Sequence, residues 1–197
     1  DKRAVDPLIA ALKDQNADVR ESVVHALSQL RDPRSVDGLM AALGDIVPDV
    51  REHAAFALGQ LLDKRAAPAL AALMKDADAD VREQAVFALG QMRDASAIDG
   101  LTLALRDTNP DVREQAAFAL GQIRDARSVA PLISSLKDEN ADVREATRRP
   151  GIFASTFSSS SARPSAKCSF VASSLRLANG STAIEGVVTS KLECPTG

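Results

Sequence analysis

Apolar and polar positions along the chain repeat as a block. The stretch Asp111-Val-Arg-Glu-Gln-Ala-Ala-Phe-Ala-Leu-Gly-Gln122 is written out several times, and its opening Asp-Val-Arg-Glu begins at Asp18, Asp49, Asp80, Asp111 and Asp142, each 31 residues after the last. A fixed period of this size is the signature of a solenoid, in which each unit buries its apolar face only against its neighbours. Within a unit the pattern predicts two helices. Helix A carries Asp-Val-Arg-Glu. With Val112 at zero and about 100° per residue, Ala116, Ala119, Leu120 and Ile123 fall within about 80° of it and form the core stripe. Helix B follows a short Asp-containing turn. Its stripe is Val36, Leu39, Met40 and Leu43 in one unit, and Val129, Leu132, Ile133 and Leu136 in another.

Local punctuation places the helix ends. Asn109 is a natural N-cap, and Pro110 takes the first helical position, where a missing N–H costs nothing. Asn16, Asp78 and Asn140 repeat the cap, whereas Val47 occupies it in the second unit, which predicts the least well held helix start. Helix A should end near Leu30, Leu61, Met92 and Ile123. Pro131 requires helix B to start near Arg127 or Ser128, with Asp125 capping the turn before it. Gly59, Gly90 and Gly121 sit inside helix A at a cost of about 1 kcal/mol each relative to Ala. The expected reason is close approach to helix B. The units are then 15–45, 46–76, 77–107 and 108–138, preceded by a half unit 1–14 and followed by a broken unit 139–147. Pro150-Gly151 stops the last helix.

From 148 the composition changes. Residues 148–197 hold eleven serines against seven in the first 147. Such a tail is expected to be disordered, to form a small hairpin about Asn179-Gly180, or to be a non-native extension. Cys168 and Cys194 both lie in it and would pair only as part of an ordered hairpin in an oxidising compartment. The chain also opens in mid-repeat, so it is expected to be an excised piece or part of a longer array, from which targeting signals can have been lost.

The repeating residues Asp-Val-Arg-x-x-Ala-Ala-x-Ala-Leu-Gly-Gln, then Asp-x-Arg-Ser/Ala-Val-x-Pro-Leu-Ile-x-x-Leu-Lys-Asp, resemble the short HEAT-like repeats of phycobilisome lyases and artificial repeat libraries. The resemblance covers residues 1–147. It implies an all-α, right-handed α-solenoid whose helix A face lines a concave groove, and a protein-binding role.

Helix A opposite its core stripe supplies the candidate binding residues: Glu21, Ser22 and His25; Glu52, His53 and Phe56; Glu83, Gln84 and Phe87; Glu114, Gln115 and Phe118. A row of Phe on a face that should be polar reads either as an interaction surface or as part of the seam between units. Arg20, Arg51, Arg82, Arg113 and Arg144 recur on the flank of the core and read as a ladder of ion pairs and hydrogen bonds to acidic residues near helix starts.

Charge narrows the partners. Residues 1–147 hold 18 Lys/Arg and 25 Asp/Glu, a balance of −7, whereas 148–197 hold 6 and 2, a balance of +4. An acidic array argues against nucleic acid, which needs clustered cations. No apolar run reaches the roughly 18 residues a membrane helix needs, so no membrane partner is expected and a cytoplasmic location is. The only histidines, His25 and His53, differ in wheel position, so no metal is expected; neither a phosphate loop nor a nucleophile elbow occurs. The chain is therefore expected to be a scaffold without catalysis or cofactor, taking a protein, a peptide or a second copy of itself. The alternatives are a bilin-lyase-like enzyme or subunit and a structural spacer in a longer chain. Absence of Tyr and Trp and the near-identity of the units weigh against the lyase.

Overall fold

The computed structural model describes residues 2–148. The expectations for the serine-rich segment, including the hairpin and the Cys168–Cys194 pair, lie outside the described residues. Among the described residues ten α-helices follow one another: α1 (Val5–Ala11), α2 (Ala17–Leu30), α3 (Val36–Ala42), α4 (Pro48–Leu61), α5 (Ala67–Leu73), α6 (Ala79–Met92), α7 (Ile98–Ala104), α8 (Pro110–Ile123), α9 (Val129–Ser135) and α10 (Ala141–Arg148). Even numbers are helix A and odd numbers helix B. No strand occurs among the described residues. The fold is an α-solenoid, and helix A ends at the four residues the pattern picks out.

Side-chain chemistry sets each boundary. Asn16 and Asn109 accept the N–H of Asp18 and Asp111, and Asp78 accepts those of Asp80 and Val81. Asn140 accepts the Asp142 N–H at 2.7 Å. Val47 offers no such bond, so α4 starts on Pro48 alone. Helix A ends in a left-handed residue without glycine, at Arg31, Leu62, Arg93 and Arg124, with φ of 46°, 54°, 48° and 58°. Asp32, Asp63, Asp94 and Asp125 then cap a 3₁₀ turn, each accepting the N–H two residues on. In the last of these the turn occupies Ala126–Ser128 and the α-helix itself begins at Val129.

The core runs through Val24, Leu27, Leu39, Leu58, Leu70, Leu89, Leu101, Leu120 and Leu132, all fully buried. Two expectations need correction. Ile133 was placed on the core stripe of helix B but is 48% exposed. Its counterpart one unit earlier, Thr102, faces α9 across a depression that Ala130 and Pro131 also line. Position 133 therefore points to the following helix B, and among the described residues α9 has none. Gly59 and Gly90 do not meet helix B. A Cβ on Gly59 would stand 3.0 Å from Ala88 Cα, so the close approach is to the next helix A.

That contact shapes the array. Successive A helices pack as closest neighbours. Ala55, Ala57, Ala85, Ala88, Ala117 and Ala119 are fully buried between or beneath them. On the helix B side larger groups intervene, as where Gly38 faces Leu12 and Ile9, and Gly100 faces Met74. Helices spaced by methyls on one side and by Leu, Ile and Met on the other make the helix A side the shorter, inner side of the stack. In α4, α6 and α8, helix A is thus buried over more than half its circumference, against its own helix B and both neighbouring A helices.

Candidate functional site: the helix A face

Along α4, α6 and α8 a strip of five positions per unit stays at least partly uncovered. In α4 these are Asp49, Glu52, His53, Phe56 and Gln60. Phe56 lies mid-strip and is 39% exposed. Phe87 and Phe118 hold the same place in α6 and α8 and are half-buried. Ser22 and His25 are exposed in α2, and Glu21 is half-buried. Glu52, His53, Glu83, Gln84, Glu114 and Gln115 are half-buried, because each flank of the strip abuts a neighbouring unit. Across one such seam His53 Nδ1 lies 3.6 Å from Glu21 Oε1. Gln84 occupies the same register one unit later, and its buried Nε2 has no hydrogen-bond partner within the described residues.

The strip is electrostatically one-sided at its acidic edge. Burial pushes the Glu52 carboxyl above the usual glutamate range, with Asp80, Asp49 and Asp78 adding to the rise and His53 opposing it. Burial does the same to Glu83, reinforced by Asp111, Asp80, Glu114 and Glu52. Among the described residues no Lys or Arg forms an ion pair with Glu52, Glu83 or Glu114. At the opposite end of helix A, Arg31 donates to Gln60 Oε1 at 2.6 Å and Arg93 to Gln122 Oε1 at 2.9 Å. The strip therefore has an acidic edge, an aromatic centre and an amide-and-arginine edge.

Four of the five recurring arginines beside the core, by contrast, are held in aspartate forks, and Arg144 donates to the Asp138 and Glu139 carbonyls. Arg82 Nε and Nη2 donate to the two Asp107 carboxylate oxygens at 2.8 and 2.9 Å, and Nη1 donates to the Asp76 carbonyl at 2.9 Å. The same fork joins Arg20 to Asp45, Arg51 to Asp76 and Arg113 to Asp138. Each aspartate also accepts the N–H two residues on, as Asn109 donates to Asp107. Every Asp thus holds the arginine of its own unit by the carboxylate and that of the next unit by the carbonyl. The pairing lowers the carboxyl of Asp45, Asp76, Asp107 and Asp138, chiefly through the arginine hydrogen bonds. These arginines are structural. Their partners were not singled out in the sequence, although Asp14, Asp45, Asp76, Asp107 and Asp138 keep the same 31-residue spacing.

The first complete unit departs from the others. Ser28 stands where later units have glycine, and His25 where they have Phe. A depression of about 360 Å³ opens there, lined by His25, Ser28, Gln29, Arg31, Phe56 and Gln60. Among the described residues no group of His, Cys, Asp and Glu could hold a metal ion, and no helix is long and apolar enough to cross a membrane.

Comparison with known proteins agrees with this geometry. Three overlapping stretches, 1–59, 47–107 and 98–149, match the family described as HEAT repeats. The complex of CpcE and CpcF of phycocyanin lyase from Nostoc sp. PCC7120 is similar at 26% identity and a TM-score of 0.64, over 71% of this chain and 60% of that chain. YibA from Escherichia coli is similar at 28% identity and a TM-score of 0.59, over 74% of this chain and 58% of that chain. This chain therefore spans less than two thirds of either. A designed armadillo repeat protein in complex with the peptide (KR)4 shares the fold at 18% identity and a TM-score of 0.61, over 78% of this chain and 82% of that chain. No curated protein matches in sequence. With family matches across three-quarters of its length and paired helices in 31-residue register, this chain belongs to the HEAT-repeat proteins.

Proposed function

We propose that the chain is a binding scaffold that takes a protein or peptide segment along its helix A face, without catalysis of its own. The observation that carries this reading is the strip itself. Three phenylalanines recur in line on the inner side of the stack, Phe56 being 39% exposed, beside Glu52, Glu83 and Glu114, with which no Lys or Arg pairs among the described residues. An aromatic centre bounded by polar groups is the usual anatomy of a binding hot spot. The similar lyase structure is itself a complex of two proteins, which favours a protein partner.

Selection of random displayed peptides on the full chain tests the reading. Enriched peptides should bind in solution, and Phe87→Ala should weaken them by about 1–3 kcal/mol, as truncation of a central aromatic does. Failure to enrich, or enriched peptides indifferent to both Phe56→Ala and Phe87→Ala, would sink it. The second reading, a bilin-lyase-like subunit, has in its favour the 26% identity to the Nostoc lyase structure. Visible absorbance retained by the chain after incubation with a bilin and gel filtration would support that reading over the first.

A further inference from the structure

We propose that the occupant of the helix A strip is a cationic segment in the polyproline II conformation, with Lys or Arg at every third residue. This rests on the binding reading above and gives the partner its chemistry. The fold neutralises its repeated charges wherever they face inward: Arg20, Arg51, Arg82 and Arg113 each have a bidentate aspartate. Glu52, Glu83 and Glu114 repeat just as strictly, are half-buried, and receive no ion pair among the described residues. Asp80 and Asp111 add further negative charge next to them. A row of desolvated, mutually repelling carboxylates is complementary to a row of cations. Phe56 and Phe87 alongside provide faces on which a guanidinium or the methylene stem of a lysine can lie.

Spacing selects the conformation. Neighbouring A helices meet through Gly59 and Ala88, and through Gly90 and Ala119, so their axes fall within the usual helix spacing of about 8–10 Å. A polyproline II helix completes a turn in three residues of about 3.1 Å, so every third side chain returns to one face after about 9 Å, in step with the units. An extended strand returns after two residues, about 6.7 Å, and falls out of step within two units. The basic edge at Arg31 and Arg93 lies ten residues further along helix A, about 15 Å away, so the cations are directed to the glutamate edge.

Three synthetic peptides of one composition, four arginines and eight prolines, separate spacing from charge: (Arg-Pro-Pro)4, (Arg-Pro)4 followed by four prolines, and four arginines followed by eight prolines. The full chain should bind the first at least fivefold more tightly than either other. The double variant Glu52→Gln, Glu83→Gln should lose at least tenfold in affinity for it. Asp37→Asn, Asp99→Asn, which removes the same charge from exposed helix B positions, should change affinity less than twofold. Equal binding of the three peptides, equal loss in the two double variants, or preference for a helical peptide with Arg at every seventh residue would overturn the proposal. If selected peptides bind through Phe87 but carry no cations, the scaffold reading stands and this one falls. If no peptide binds at all, both fall.

Discussion

Gly90 lies so close to Ala119 that a Cβ added to it would stand 2.7 Å from the alanine Cβ and 3.0 Å from its Cα. The second of these is backbone, so no rotamer relieves it. Gly90→Ala should therefore destabilise the array by about 1–3 kcal/mol, the ordinary cost of overpacking, although alanine is the better helix former. Gly90→Ala combined with Ala119→Gly should recover part of that loss. Equilibrium urea unfolding of the two variants checks this, and a stabilised single variant would refute the close approach.

The arginine ladder gives a second expectation. Asp107→Ala removes the fork from Arg82 and the bond from the Asn109 N–H, and leaves a guanidinium with little solvent around it. Loss of one partner of such a pair costs about 3 kcal/mol or somewhat more. Asp99→Ala, on an exposed part of α7, should cost less than about 0.5 kcal/mol. Thermal melts of both variants give the comparison.

Stability should respond to acid in two opposing ways. Asp45, Asp76, Asp107 and Asp138 are held below the ordinary aspartate value of 3.8 by their arginines. The stability they contribute is complete above that value and is lost as pH falls through their lower folded values. Glu52 and Glu83 are raised above the ordinary 4.5 by burial. Their contribution is present below 4.5 and lost as pH rises through the folded values. Unfolding free energy should thus rise slightly on acidification toward pH 4.5 and fall steeply below pH 3.8. Glu52→Gln, Glu83→Gln should abolish the shallow rise and keep the steep fall, read from urea midpoints across pH.

Leu62 holds a left-handed conformation at φ 54° and is 55% exposed. It therefore carries backbone strain while burying little. Leu62→Gly should raise stability by about 0.5–1 kcal/mol, since glycine adopts this region without steric cost but gains freedom when unfolded. An unchanged or lower melting temperature would count against it.

Phe56 and Phe87 differ in exposure, and their truncations should differ accordingly. Phe56→Ala should lower stability by less than about 1 kcal/mol, whereas half-buried Phe87→Ala should cost about 1–2 kcal/mol, well short of the 3–5 expected for a fully buried ring. Both should weaken a groove ligand. A loss of about 4 kcal/mol at Phe87 with ligand binding intact would make the ring a seam residue.

The chain itself determined whatever is local or strictly periodic. The spacing of Asp-Val-Arg-Glu gives the helix order among the described residues, and Asn16, Asn109, Pro48 and Pro110 set the starts of α2, α4 and α8, because caps and prolines act through bonds within a few residues. Which faces meet across units was decided only in the assembled stack. A wheel drawn from Val112 gives helix A one buried side, but the stack buries the opposite Ala117 and Gly121 as well, since α8 touches both α6 and α10. For the same reason Gly59 answers to Ala88 rather than to helix B, and Glu52 and Glu83 lose solvent that a single amphipathic helix would have left them. Ile133 is the converse case: its apolar side chain suits an interior position, yet exposure depends on a neighbouring helix that no local pattern encodes.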